Sequence, residues 1–321
     1  MQIAQLEAVR EIARNGYNMS LAAETLKRSQ PGISRQIKEL EHELGIRIFA
    51  RTRNNIVALT PQGEEVLRIG RRILSDAENL RHIGSWETPD STGELKIATT
   101  HVQARYALPG VIKAFTIRFP RVVLTLQQGD PVQCCNAVES GEADLAITTV
   151  GERQLDKVVA VPAFNLSSAL FVPRRHPLVR EEVLTLKKLA EHPFVAYSPA
   201  FAVRMHVDET FARAGLRPHV VCSATDADVC KTYVAAGMGI AVLARIAFDP
   251  ERDRTLVPLD VAKLFKPSIL SIVFKKNGYL SRPMHSFVSM VAPHLTQNEI
   301  RRALDGSQPG ALRMLADLPR I

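Results

Sequence analysis

Residues 18–51 read NMSLAAETLKRSQPGISRQIKELEHELGIRIFAR, and this stretch predicts two short helices joined by a tight turn. The first helix is expected over residues 21–26, with Ser20 as its N-cap and with Ala22 and Ala23 allowing close packing. Residues 27–29 then form the turn. Two helices held in this way are typical of the helix-turn-helix motif, in which the second helix enters a DNA groove.

The second helix has its own start, stripe and stop signals. Ser29 is its predicted N-cap, Pro31 suits the first turn because its missing N–H costs little there, and Gly45 ends the helix. Its buried stripe is predicted at steps of 4, 3 and 4 by Ile33, Ile37, Leu40 and Leu44.

Basic residues lie off this stripe. Residues 27–38 contain four of them and no acid: Lys27, Arg28, Arg35 and Lys38. They are expected to point outward together, which favours a polyanionic partner. The alternative is a solvated face on an ordinary helical hairpin.

A wider pattern distinguishes these two interpretations. Residues 2–80 resemble the winged helix-turn-helix of LysR-type transcriptional regulators, at Ala22-Ala23, Ser29-Gln30-Pro31, Ser34-Arg35-Gln36-Ile37, Leu40-Glu41, Leu44-Gly45, Phe49, Arg51 and Thr60-Pro61-Gln62-Gly63. Further along, the chain resembles the CysB group of that family, regulators of sulfur assimilation. The matching segments are Ala98 to His101, Gln103 to Pro109, Phe119 to Val122, Gln128-Gly129, Ala224 to Val229 and Lys231 to Val234.

Helix geometry and this resemblance together predict the DNA contacts. Base edges and nearby phosphates are assigned to the start and outward side of the second helix, namely Ser29, Gln30, Pro31, Ser34, Arg35 and Lys38. Arg51 and Arg53 are expected on a two-stranded wing over residues 51–59, with a turn at Asn54-Asn55, where they would contact phosphates or the minor groove. The expected partner is double-stranded promoter DNA.

A long helix is predicted to follow, capped by Thr60 with Pro61 in its first position. Its apolar stripe consists of Val66, Ile69, Ile73, Ala77 and Leu80. Such a stripe either forms a dimer or packs on the chain's own core. The resemblance favours self-association as a dimer and a homotetramer.

The remainder predicts an α/β effector domain. Turn-forming residues 84–93 mark a hinge, and short apolar strands then alternate with helices. The first β-α-β-α-β run predicts a parallel sheet, and a second run predicts a further α/β subdomain, as in periplasmic binding proteins. The predicted domains are residues 1–59 (winged helix-turn-helix), 60–90 (linker helix and hinge) and 91–300 (effector domain). Subdomain I comprises 91–165 and 267–300, subdomain II comprises 166–266, and residues 301–321 are a loosely attached tail.

The effector site is expected at the strand ends of this domain, where ligands of open α/β sheets bind. Hydroxyl, amide and backbone N–H donors suit a small anionic metabolite. The predicted residues are Thr99, Thr100, His101, Val102, Gln103, Thr148, Thr149 and Ala202. Taken singly, each Thr is slightly better explained as a helix cap or strand-end residue, so the prediction depends on the cluster. Thr225 is predicted to cap a later helix, with Asp226 and Asp228 favoured there by the helix dipole.

The chain departs from the CysB-type pattern at two positions of the predicted effector site. Thr100, Gln103 and Thr149 keep the CysB-type polar residues, whereas Val102 and Ala202 stand where that pattern has threonine. We therefore expect an effector with an apolar portion. The candidates are sulfate, O-acetylserine, adenosine phosphosulfate or a sulfonate, controlling genes of sulfur assimilation or sulfonate use. The resemblance further implies activation through RNA polymerase; control of another pathway is the alternative.

Composition excludes several other classes. The 321 residues carry a formal net charge of +8, and residues 1–60 hold nine Lys or Arg against six Glu. The sequence shows neither a signal peptide nor an apolar run long enough for a membrane span, so a cytoplasmic protein is expected and a solute-binding protein is disfavoured. Four cysteines without C-x-x-C spacing predict no metal or cofactor. A redox sensor formed by the adjacent Cys134 and Cys135 is the alternative. The absence of catalytic motifs disfavours an enzyme.

Overall fold

The N-terminal unit is built from helices around a small sheet. The computed structural model describes residues 1–52, 55–82, 93–150, 157–305 and 318–321. Within them, this unit (Met1–Thr88 with Ser140–Glu142) contains α1 (Ile3–Arg14), α2 (Met19–Thr25), α3 (Gln30–Leu44), β1 (Phe49–Thr52), β2 (Asn55–Leu59) and α4 (Pro61–His82). Its core includes Leu6, Ile12, Ile33, Ile37, Leu40, Ile48 and Phe49.

The signals that bound α3 are confirmed. The Ser29 hydroxyl accepts a hydrogen bond from the Gly32 N–H, Pro31 lies in the first turn, and Gly45 ends the helix with φ of +66°. Two other predictions are wrong. Asn18, not Ser20, caps α2, because its side chain accepts from the N–H groups of Ser20 and Leu21. Leu44 is 40% exposed, since it lies in the last turn of α3, beyond the core contacts of the helix.

The junction between β2 and α4 explains the Thr60-Pro61-Gln62-Gly63 motif. Thr60 donates its N–H to the Ile48 carbonyl at 2.9 Å, and its hydroxyl accepts from the Gly63 N–H at 2.9 Å, which confirms it as the cap. A Cβ on Gly63 would lie 1.9 Å from the Ile48 carbonyl oxygen. Only glycine therefore allows α4 to begin this close to β1.

The predicted α4 stripe is divided between two environments. Val66 and Ile73 are half-buried against the N-terminal core, beside the buried Leu67 and Leu74. Leu80, by contrast, is 70% exposed. Part of the stripe thus packs on the chain's own core, and dimerisation through the remainder stays a prediction.

The second unit, Pro89–Glu139 with Ala143–Ile321, contains two groups of strands. The first is a five-stranded sheet of order β4-β3-β5-β12-β6, comprising β3 (Gly93–Thr99), β4 (Val122–Gln128), β5 (Leu145–Thr149), β6 (Val158–Leu166) and β12 (Ser268–Lys275). β3 pairs in parallel with β4 and β5, as predicted, whereas β12 is antiparallel to both of its neighbours.

The second group forms two smaller sheets. β7 (Ser168–Pro173) lies between β10 (Ala241–Ala244) and β11 (Leu256–Asp260) and is antiparallel to both. β8 (Pro193–Tyr197) pairs in parallel with β9 (His219–Ala224). The helices of the unit are α5 (Pro109–Arg118), α6 (Pro131–Ser140), α7 (Leu186–Ala190), α8 (Ala202–Arg213), α9 (Ala227–Ala235), α10 (Arg282–Val291) and α11 (Gln297–Leu304).

Two strands, β6 and β11, are not predicted by the pattern of apolar residues. They contain Pro162 and Pro258, respectively, and both lie at a sheet edge. Proline lacks the N–H that a central strand needs, so it argues against a strand in sequence but is tolerated at an edge.

The C-terminal residues are not a loosely attached tail where they are described. Ile300, Ala303 and Leu304 are buried on α11. At the other end, Asn165 donates its N–H to the Pro319 carbonyl at 2.8 Å and accepts from the Ile321 N–H at 2.9 Å. Residues 306–317 lie outside the described residues, as does the predicted hinge apart from Gly93. Across the described ranges, none of the helices combines the length and apolar character needed to cross a bilayer.

Candidate DNA interface and effector site

The outward side of α3 is the candidate DNA interface. Gln30, Pro31, Arg35 and Lys38 are exposed and Ser34 is half-buried, while the opposite side supplies the core. Arg35 is 82% exposed and pairs with Glu39 at 2.7 Å one turn later. An ion pair so exposed contributes little to stability, so the guanidinium is available to a partner.

Two of the basic residues identified in the sequence, Arg28 and Arg51, have acidic partners within the protein. Arg28, expected to point outward, pairs with Glu7 at 2.7 Å and donates to the Ala4 carbonyl, so it fixes the turn against α1. Arg51 is 21% exposed and lies 3.4 Å from Glu41, whose carboxylate also accepts from the N–H groups of residues 48 and 49. Arg53 lies outside the described residues.

The predicted effector residues lie at the ends of adjacent strands. Thr99 ends β3, Thr148 and Thr149 end β5, and the two strands pair in parallel. The Thr99 hydroxyl donates to the Ile147 carbonyl at 2.8 Å, so it ties the strands together and is not free for a ligand. The Thr100 hydroxyl donates to Gln103 Oε1.

Three polar side chains in this cluster are nearly inaccessible to water: Gln103, Thr149 and Thr148 are 2%, 6% and 0% exposed. Among the described residues, the buried Thr148 Oγ1 has no hydrogen-bond partner. A buried donor without a partner is uncommon because it forfeits a hydrogen bond to water. Thr148 Oγ1 can therefore donate to a small ligand.

The two apolar members occupy buried positions. Val102 is 5% exposed and belongs to the same hydrophobic core as Phe201 and Val203. Ala202 is the first residue of α8, and no side chain caps this helix. The free N–H groups of such a helix start attract anions.

Beside this cluster, the structure reveals a set of charged and polar side chains, here called the Asp228 network. Asp228 Oδ2 lies 2.8 Å from His101 Nε2 and 3.1 Å from Arg105 Nε, and Oδ1 lies 2.6 Å from the Tyr106 hydroxyl and 2.9 Å from Lys231 Nζ. Asp228 therefore joins residues that follow β3 to residues on α9. His101, predicted to contact the effector, instead faces Asp228 and, at 3.0 Å, Asp226.

Lys231 fixes the Asp228 network through buried hydrogen bonds. Its side chain is 4% exposed, and Nζ donates to Asp253 and to the Ala247 carbonyl at 2.7 Å each, and to the Tyr106 hydroxyl at 2.9 Å. Burial alone lowers the pKa of Lys231, but hydrogen bonds to Asp253, Tyr106 and Asp228 outweigh it and raise the pKa. The ammonium stays charged.

The pKa of Asp228 also depends on burial and hydrogen bonding, which act in opposite directions. Burial opposes its ionisation, but hydrogen bonds from Tyr106, His101 and Lys231 outweigh that effect and lower its pKa to about 2. The carboxylate is thus ionised at every pH at which the protein works.

His101, Asp226 and Asp228 also have a metal-ligand character, since one donor atom from each lies within 4.8 Å of the others. Both oxygens of Asp228 already accept hydrogen bonds from neighbouring side chains, including the cations Arg105 and Lys231. A metal ion would have to displace them. We therefore interpret the group as an ion-pair network.

Sequence reasoning missed Arg105, Tyr106, Lys231 and Asp253, since their partners lie more than 100 positions away or in an irregular loop. The one available signal was the density of charge in residues 226–231. There the predicted cap was wrong by one residue: Asp226, not Thr225, accepts from the N–H groups of Asp228 and Val229.

The adjacent cysteines do not have the character of a redox sensor. Burial raises the pKa of Cys134 to about 12 and that of Cys135 to about 11. Reactive cysteines need a thiolate at neutral pH, so both act here as small buried hydrophobic residues.

Two family models together match most of the chain. Residues 3–64 match the model of bacterial regulatory helix-turn-helix proteins of the lysR family, and residues 89–296 match the LysR substrate binding domain, which takes a small-molecule effector.

Individual relatives cover nearly the whole chain. The HTH-type transcriptional regulators SsuR and CysB of Burkholderia cenocepacia are 44% and 40% identical, over 94% and 95% of this chain and 97% and 98% of theirs. The solved cofactor-binding domain of the Cbl transcriptional regulator is 37% identical, with a TM-score of 0.64, covering 67% of this chain and 95% of that one. The chain therefore belongs to the LysR family of bacterial regulatory helix-turn-helix proteins, and it is a DNA-binding transcriptional regulator and not an enzyme.

Proposed function

We propose that this regulator controls genes of sulfur assimilation or sulfonate use and responds to a small sulfur-containing anion. The observation that carries the proposal is the buried polar cluster of Gln103, Thr148 and Thr149 at the strand ends, in which Thr148 Oγ1 lacks a hydrogen-bond partner. The similarity to SsuR, CysB and Cbl supports the sulfur role.

The donor set suits an anion that carries no proton. Such an anion needs donors only, and hydroxyl, amide and helix N–H groups can supply them without a cation. The Thr100 hydroxyl donates to Gln103 Oε1, and this orients the Gln103 amide so that its N–H₂ group is left for the ligand.

Val102 and Ala202 favour a ligand with an apolar portion. Each replaces a threonine of the CysB-type pattern, and a hydrogen bond to a charged group is worth about 1.5 to 3 kcal/mol. Losing two of them would weaken the binding of plain sulfate by about two orders of magnitude or more. A sulfonate keeps the anionic end and places carbon beside these side chains.

Calorimetry on the full-length protein tests the ligand class, with sulfate, O-acetylserine, adenosine phosphosulfate and short alkyl sulfonates as probes. We expect a sulfonate to bind more tightly than sulfate. The Val102→Thr/Ala202→Thr double variant should gain about tenfold or more in sulfate affinity, whereas Val123→Thr, at an exposed position, should not. Equal, tight binding of sulfate by the unchanged protein would reject the proposed ligand class.

We further propose that the protein binds promoter DNA as a dimer within a homotetramer. One recognition helix reads few base pairs, whereas two related by a twofold axis read half-sites one helical turn apart. The exposed Ile69 and Leu80 on α4 supply apolar surface for association. Sedimentation of the full chain should give a dimer or tetramer, and Leu80→Glu should shift it toward monomer; a monomeric parent protein would contradict this.

Footprinting separates the sulfur role from control of another pathway. Purified protein should protect discrete sites upstream of sulfur-assimilation or sulfonate-utilisation genes, and the pattern should change with the bound effector. Protection confined to other promoters would assign the protein to another pathway. Activation through contact with RNA polymerase is then measurable by transcription in vitro from the protected promoters.

A further inference from the structure

Residues 100–107, here called the effector turn, carry two sets of side chains. The turn is helical and ends in a π-helical segment, Gln103–Ala107, closed by a hydrogen bond of 2.9 Å from the Leu108 N–H to the Gln103 carbonyl. Thr100 and Gln103 belong to the proposed effector site. His101, Arg105 and Tyr106 all contact Asp228.

Asp228 is held independently of the turn. It lies on α9, whose first N–H groups are capped by Asp226, so its carboxylate is not needed as the helix cap. Lys231, one turn later, is fixed by Asp253 and the Ala247 carbonyl. The carboxylate is therefore a fixed acceptor to which the effector turn is attached by three side chains.

We propose that Asp228 is a positioning residue for the effector site: it holds the effector turn so that Thr100 and Gln103 present their polar atoms to the ligand, without itself touching the ligand. This inference rests on the proposed function for the identity of the site. The three residues that contact Asp228 and the two proposed ligand-binding residues all lie within positions 100–106, so a shift of one set moves the other.

The substitution Asp228→Asn is suited to testing this. It keeps the shape of the side chain but removes the charge, and its amide group cannot accept four donors. Lys231 retains Asp253, so no buried cation is left unpaired. Arg105→Gln is a second, milder variant, because Arg105 is 37% exposed and supplies one contact.

Glu209→Gln is the matched control. Glu209 pairs with Arg213 at 3.5 Å on α8 in the same unit, and both side chains are exposed. It loses the same charge outside the network.

Hydrogen exchange without ligand tests positioning directly. In Asp228→Asn, the peptide covering residues 100–108, with its bonded Ala104 and Leu108 amides, should exchange about tenfold faster or more, with a smaller increase in Arg105→Gln. Peptides from β3, β5 and α8 should be unchanged. A uniform rise over the whole unit would indicate a merely structural role, and an unchanged 100–108 peptide would also overturn the proposal.

Calorimetry with the tightest-binding probe of the unchanged protein then tests the consequence. Asp228→Asn should weaken effector binding about tenfold or more, while Asp228→Glu should restore part of it and Glu209→Gln should match the parent. Operator affinity without effector should stay within twofold. Equal effector affinity in parent and Asp228→Asn would overturn the inference alone. If the parent binds none of the probes, the proposed ligand class fails, and the exchange experiment still decides the positioning role.

Discussion

The outward side of α3 and the Asp228 network both consist of charged and polar side chains, but the ion pair on α3 is exposed, whereas the Lys231–Asp253 pair of the network is buried. Arg35 and Glu39 are 82% and 50% exposed, whereas Lys231 and Asp253 are 4% and 10% exposed. An exposed pair costs little to break, while a buried one leaves an uncompensated charge when a partner is removed. The charges of α3 are thus available to DNA, and those of the network hold the effector domain in shape.

The largest expected effect is on the stability of the protein, when the buried ion pair of the Asp228 network is broken. Lys231→Met should lower the free energy of unfolding by about 3 to 5 kcal/mol, because it leaves the buried Asp253 without its cation. Chemical denaturation measures this. Lys188→Met, which breaks an exposed pair with Glu181, should cost less than about 1 kcal/mol. Similar losses in the two variants would remove the contrast.

Substitutions on the exposed side of α3 should affect DNA binding instead of stability. Arg35→Ala is expected to weaken operator binding by about 1 to 3 kcal/mol and to relax sequence preference, whereas Lys38→Ala should weaken operator and scrambled DNA alike. Mobility shifts at two salt concentrations measure both. An equal loss on operator and scrambled DNA for Arg35→Ala would make it a phosphate contact and not a base contact.

Acid should destabilise the Asp228 network through protonation of Asp228. The pKa of Asp228 is lowered from 3.8 to about 2 in the folded protein, so its ionised form stabilises the fold. That contribution, about 2 kcal/mol, is complete above about pH 5 and is lost as the pH falls toward 2. Unfolding curves of the parent and Asp228→Asn should therefore converge over this range. Parallel curves would show that Asp228 is not stabilised by its neighbours.

The smallest expected effect distinguishes two roles of Ser29, the capping of α3 and the predicted contact with DNA. Ser29→Ala should lower stability by about 1 kcal/mol through loss of the α3 cap. Ser29→Asp should keep the cap, since a carboxylate accepts the same N–H, but should weaken DNA binding by repelling phosphates. If Ser29→Asp binds the operator as the parent does, residue 29 lies away from the DNA backbone.

A region could be predicted from the sequence when its residues lie close together along the chain. The face of α3 comprises residues 30–38, and the 3.6-residue period places neighbours in sequence on known sides of the helix. Leu44 was misjudged because periodicity does not say where the core ends. In the effector half, the strand-end position of Thr99, Thr148 and Thr149 was predictable from the strand pattern, but which hydroxyls already have partners was not.

The sequence by itself determined the helix-turn-helix, its caps at Ser29 and Gly45, and the chain's place in a family, because these depend on short-range patterns of residue type. Only the tertiary structure decided that Arg28 and Arg51 are held by Glu7 and Glu41, and that His101 faces Asp228, 127 positions away. The physical reason is that a hydrogen bond or ion pair acts over about 3 Å, and only the folded backbone brings residues so distant in sequence within that range.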